Sequence, residues 1–77
     1  MAEVKVYSTP TCPYCKMVKQ FLAENQIIFA DIDVSTSQAA AEEMIAKSGQ
    51  LGVPVIDIDG QIIVGFDKAR IRQLLNM

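Results

Sequence analysis

Four consecutive residues, Cys12-Pro13-Tyr14-Cys15, constrain this chain more than any other stretch, and they hold its only two cysteines. They fall between a short alternating apolar run and a helix-period pattern. If a helix opens at Pro13, Cys12 stands at its N-terminal edge. Unsatisfied backbone N–H groups and the positive end of the helix dipole favour negative charge there. The group that benefits is a thiolate, the reactive form of cysteine. Cys15 lies one turn further on, within reach of a mixed disulfide formed at Cys12. Pro13 suits a first helical turn, where its missing N–H has no intrahelical partner.

Other uses of two cysteines fit less well. A disulfide closing so short a loop constrains the unfolded chain little. A structural zinc site needs four ligands, and the chain has no histidine and no second cysteine pair. Two inert buried thiols would leave Pro13 unexplained. Dithiol–disulfide chemistry is therefore the expected use, and a redox-inert interaction domain is disfavoured by the presence of both thiols.

Seventy-seven residues, 51% of them hydrophobic, are expected to form one domain spanning residues 1–77. The formal net charge is −2, without a basic block, which argues against nucleic acid or an anionic membrane as partner. No apolar run is long enough to span a bilayer. Met1-Ala2-Glu3 carries no signal-peptide pattern, so the cytoplasm is the expected location. A cytoplasmic dithiol is more often catalytic or redox-sensing than structural.

Val4 and Val6 alternate with Lys5 and Tyr7 in a first strand. Ser8, Thr9 and Thr11 read as loop and cap residues. Met17, Val18, Phe21 and Leu22 form the apolar face of a helix from Pro13 to about Asn25, and Lys16, Lys19, Gln20 and Glu24 form its solvated face. Lys16 and Lys19 also lie near the thiols. Ile27 to Val34 reads as a second strand, with Asp31 and Asp33 on its wet side. Two strands joined by one helix make a βαβ unit, and Cys-x-x-Cys within such a unit reads as thioredoxin-like. Ser35 and Gln38 have capping-box spacing for a second helix that buries Ala40, Ala41, Met44 and Ile45 and ends at Gly49. Pro54 opens a third strand, and Asp59-Gly60 turns it back as a fourth. Asp67 is an N-cap candidate for a last helix that buries Ile71, Leu74 and Leu75. The order is β-α-β-α-β-β-α, an α/β architecture with a four-stranded mixed sheet and helices on both faces.

In Cys12-Pro13-Tyr14-Cys15, Val53-Pro54 and Gly65, the sequence resembles a glutaredoxin over essentially its whole length. The resemblance implies a thioredoxin fold with a cis bond before Pro54, which then faces the cysteines. It implies that the Val53 main chain pairs with a bound thiol substrate. The glutathione-binding positions it marks are Thr11, Tyr14, Val53, Pro54, Gly65, Phe66 and Asp67. The expected activity is thiol–disulfide oxidoreduction: Cys12 attacks, and Cys15 or free glutathione resolves. Expected partners are glutathione and disulfide-bearing or glutathionylated proteins. No bound cofactor or metal is implied, and a monomer is expected. The chain departs from the family pattern at Phe66, where a second glycine is usual, at Thr9, where a basic residue is frequent, and at Gly52, where threonine is. Gly65-Phe66 is similar instead to redoxins that supply electrons to ribonucleotide reductase, several of which thioredoxin reductase recycles. A third reading, a glutathione-ligated [2Fe–2S] binding module, requires a loop that Pro13 stiffens.

Overall fold

A computed structural model describes residues 3–50 and 52–76. Its elements run β1 (Val4–Ser8), α1 (Pro13–Glu24), β2 (Ala30–Asp33), α2 (Gln38–Ser48), β3 (Val55–Ile58), β4 (Gln61–Val64) and α3 (Lys68–Leu75). The sheet order is β2-β1-β3-β4. β1 pairs parallel with β2 and antiparallel with β3, and β3 and β4 form the antiparallel hairpin. This is the expected mixed-sheet thioredoxin fold. Asp59 and Gly60 both take positive φ, 50° and 88°, the geometry of a tight hairpin turn whose twist matches the strands.

The central strands bury side chains on both faces and divide the core in two. Val4 and Val6 of β1, with Ile56, Ile58 and Ile63, pack against Val18, Phe21 and Leu22 of α1 and Ile71 of α3. Tyr7 and Val55, which point the other way, pack with Met44 of α2. Successive strand side chains face opposite sides, so β1 serves both cores. At its end, neighbouring hydroxyls enter opposite halves of the molecule, Tyr7 toward α2 and Ser8 toward α1.

Several expectations shift. β2 begins at Ala30, not Ile27, and Ile28 is 84% exposed. The preceding turn explains this: Gln26 adopts φ 59° and the Ile27 N–H closes back on the Leu22 carbonyl at 2.9 Å. The chain is still leaving α1 there, and an apolar run in that state has no strand to join. Met17 and Ile45, expected to face inward, lie at the rims of their helices and are exposed. α2 is capped by Ser37, whose hydroxyl accepts the Ala40 N–H at 3.2 Å. Ser35 instead donates its N–H and hydroxyl to Asp33. The expected capping box was displaced because Asp33 captures Ser35 in a local turn. The remaining signals hold: Gly49 ends α2 in the left-handed region at φ 75°, and Asp67 caps α3 by accepting the Arg70 N–H.

Candidate active site

The strand-to-helix junction places the two cysteines in different surroundings. Cys12 is the N-cap of α1, in extended geometry, with Pro13 as the first helical residue. Its Sγ accepts the Cys15 N–H at 3.3 Å, the bond a serine or aspartate cap usually makes. A sulfur held by an orphan N–H at a helix start is well placed to carry negative charge. Cys12 is half-buried, whereas Cys15 is fully buried. Burial, and then the hydrogen bond with Cys12, push the Cys15 thiol up to about 11. Both cysteines are free thiols. One is accessible to an incoming disulfide, and the other is kept protonated directly behind it.

Across from the helix, the Val53–Pro54 bond is cis, as expected. The Cys12 Sγ lies 4.0 Å from the Val53 carbonyl oxygen. This brings the Val53 main chain, 41 residues away in sequence, to the reactive sulfur. The Pro54 carbonyl accepts the Gly65 N–H at 2.9 Å, tying the start of β3 to the end of β4. Gly65 has φ 82°, a conformation that favours glycine.

The other marked positions fall around this centre. Tyr14 and Thr11 are exposed. The Phe66 ring is directed into the seam between α1 and α3, where it meets Phe21 edge-on at 5.9 Å between centroids. The Lys68 ammonium lies over both rings, at 5.8 and 5.6 Å. Phe66 is therefore a packing residue of that seam. The Asp67 carboxylate is committed to the first turn of α3. Among the described residues, no hydrogen bond joins Asp67 to the cysteines.

One cluster was not legible as such. Lys19 sits at the edge of the solvated face of α1, half-buried and not free in water. Its ammonium is 3.0 Å from an Asp31 oxygen, and the other Asp31 oxygen accepts the buried Ser8 hydroxyl at 3.0 Å. The available signal was spacing: Lys19 follows Cys15 by four residues, which places both on one helical face. Among the described residues, no group of acidic, histidine or cysteine side chains is arranged to hold a metal ion, and no helix is long and apolar enough to cross a membrane.

Comparison with known proteins agrees with this geometry. The glutaredoxin family model matches residues 4–63. An uncharacterised glutaredoxin-like protein encoded in the rubredoxin operon of Clostridium pasteurianum is 53% identical over 72 residues, covering 94% of this chain and 96% of its own. Glutaredoxin 3 of Escherichia coli is 42% identical over 67 residues, covering 87% and 81%. The glutaredoxin-like protein NrdH of Lactococcus lactis is 35% identical over 71 residues, covering 92% and 97%. The crystal structure of a glutaredoxin from Archaeoglobus fulgidus superimposes with a TM-score of 0.89 at 27% identity, covering 100% and 89% of the two chains. With the family model matching residues 4–63, and with a thiol capping a helix, a second thiol buried one turn behind it and a cis-proline loop beside the first, the chain belongs to the glutaredoxin family.

Proposed function

We propose that the protein is a dithiol oxidoreductase that reduces protein disulfides or glutathione mixed disulfides through Cys12, with Cys15 as the resolving thiol. The observation that carries this reading is the capping bond from the Cys15 N–H to the Cys12 sulfur, made by an accessible thiol in front of a buried one. The Cys12 thiolate attacks the substrate disulfide, and the leaving thiolate takes up a proton from solvent. Cys15 then loses its proton and attacks the Cys12 sulfur of the mixed disulfide. The second substrate thiolate leaves, and both electrons have passed to the substrate. The Val53 main chain lies beside the sulfur, where it pairs with the substrate backbone in this reading. A reducing cytoplasm suits a dithiol that must be reopened after each turnover.

Glutathione is the proposed reductant and a second substrate class, bound through Tyr14, Val53 and Pro54. A second reading has its own observations: a hydrogen donor for ribonucleotide reductase, recycled by thioredoxin reductase. Asp67 already occupies one N–H of the first turn of α3 and places a carboxylate there, which weakens that helix end as a seat for a glutathione carboxylate. Thr9 adds no positive charge. The 35% identity to the NrdH protein of Lactococcus lactis points the same way. The test follows NADPH oxidation with a disulfide substrate and either glutathione with glutathione reductase or thioredoxin reductase alone. The primary reading expects turnover with glutathione at a Michaelis constant raised about tenfold by the missing charge-assisted contacts. Turnover with thioredoxin reductase only would establish the second reading. Turnover with neither would remove the reductase function.

A further inference from the structure

The resolving half-reaction poses a problem that the cysteines alone do not solve. Cys15 must ionise before it can attack, yet it is fully buried; in the reduced pair burial first, and then Cys12, push its thiol up to about 11, and the burial remains when Cys12 has entered the mixed disulfide. Two features act in the opposite sense, the Thr9 backbone N–H and, as a smaller influence, the positive charge of Lys19. Lys19 is one turn beyond Cys15 on the same face of α1. Its side chain is only 26% exposed, and it is held by Asp31 at 3.0 Å. Asp31 is in turn fixed by the Ser8 hydroxyl at the buried end of β1. A lysine serving only solubility would extend into water.

The charged groups near this end of the molecule can be assigned one by one. On α1 they are Cys12, Lys16 and Lys19, and Lys16 is exposed. On β2 they are Asp31, paired with Lys19, and Asp33, turned to Ser35. On α2, Glu43 and Lys47 are engaged with Tyr7, each other and Asp57 of β3. On α3, which packs on the same side of the sheet as α1, Lys68 and Arg72 lie over the Phe21 ring at 5.8 and 5.5 Å. Lys19 is thus the cation held on the Cys15 face by a built network.

We propose that Lys19, aimed by Asp31 and Ser8, is a positioning residue for the second half-reaction: its fixed charge stabilises the Cys15 thiolate as its proton leaves for solvent. This rests on the dithiol reading. The Cys15 thiolate forms the S–S bond to Cys12, the bond from Cys12 to the substrate sulfur breaks, and that sulfur leaves with the electron pair. Asp31 keeps the lysine in place and, by partly neutralising it, leaves Cys15 protonated until the mixed disulfide is formed.

The experiment is a stopped-flow reaction of the reduced protein with an equimolar aromatic disulfide, dithionitrobenzoate, which releases a yellow thiolate at each step. The first release reports attack by Cys12, and the second reports attack by Cys15 on the mixed disulfide. For Lys19→Gln the first phase is expected to keep its rate. The Cys15 titration should move up by about one pH unit. The thiolate fraction at neutral pH then falls about tenfold, but a more basic thiolate is more nucleophilic, so the second phase should slow by about threefold. The pH at which that phase levels off should rise by the same unit, and Lys19→Arg should restore both. A second phase in Lys19→Gln with the parent's rate and pH profile overturns the proposal. So does a failure of Lys19→Arg to rescue, because the loss would then come from lysine packing, not charge. An equal slowing of both phases also overturns it. If the parent itself shows no second release, the dithiol reading fails, and this proposal fails with it.

Discussion

The two ends of the β1 hydroxyl pair make a natural comparison. On one face of the sheet, Lys47 of α2 reaches Asp57 of β3 at 2.7 Å and the Tyr7 hydroxyl at 3.0 Å. On the other, Lys19 of α1 reaches Asp31 of β2, which accepts from Ser8. Each cluster joins a helix lysine, a strand aspartate and a β1 hydroxyl. They differ in closure. Asp57 is 7% exposed and also takes the Gly60 N–H at 2.8 Å, and Glu43 closes the network from outside. The Asp31 side chain is 50% exposed. A closed network fastens α2 to the sheet, so its loss should appear as stability. An open one beside a thiol has little to fasten, so its loss should appear in the chemistry.

The largest expected effect that would break this comparison is on stability at Lys47. Lys47→Ala leaves the nearly buried Asp57 without its cation, at a cost of about 2 kcal/mol. For a domain this small that corresponds to a fall of roughly 10 °C in melting temperature, readable by circular dichroism. Lys19→Gln removes a more exposed pair and should cost under about 0.5 kcal/mol. Equal losses at the two sites would dissolve the distinction.

The pH dependence sharpens it. Burial alone would raise the Asp57 pKa, but the hydrogen bond from Lys47, the Gly60 N–H and the Lys47 charge outweigh burial and lower it. Its stabilisation is therefore full above the unfolded carboxylate value of about 3.9 and is lost as pH falls through the lower folded value. Lys47 is raised, chiefly by its bond to Asp57. Its share is full below about 10.4 and is lost as pH rises through the folded value. Thermal melts of Asp57→Asn should lose the acid part of this profile.

A smaller effect tests the α2 boundary that carries Glu43 and Lys47. Ser37→Ala removes the cap and should cost about 1 kcal/mol, with Ser35→Ala costing less. The reverse order would restore the capping box expected from spacing.

What the sequence made legible follows from periodicity. The alternation of Val4 and Val6, the Asp59-Gly60 turn and the Val18-Phe21-Leu22 stripe each encode a local element, and the fold follows from their order. The cysteine pair and Val53-Pro54 were legible because their chemistry is tied to residue type and short spacing. Ile28 misled because a strand-like run can be consumed by a turn. Lys19, Lys47 and Asp57 were illegible in a different way. Their partners lie on other elements, and no period along the chain reports a bond across the sheet. Phe66 read as a departure in the glutathione site; that its ring also packs on Phe21, a contact with a distant part of the chain, no local spacing reports.

The central claim is the division of labour between the two thiols, and brief alkylation tests it most directly. The reduced protein is treated with limiting iodoacetamide at about pH 7, and the label is located by peptide mass mapping. The account predicts label on Cys12 with Cys15 unmodified, because Cys12 is accessible while Cys15 is buried and its thiol is pushed up to about 11. Labelling of Cys15 as fast as Cys12, or faster, would contradict it.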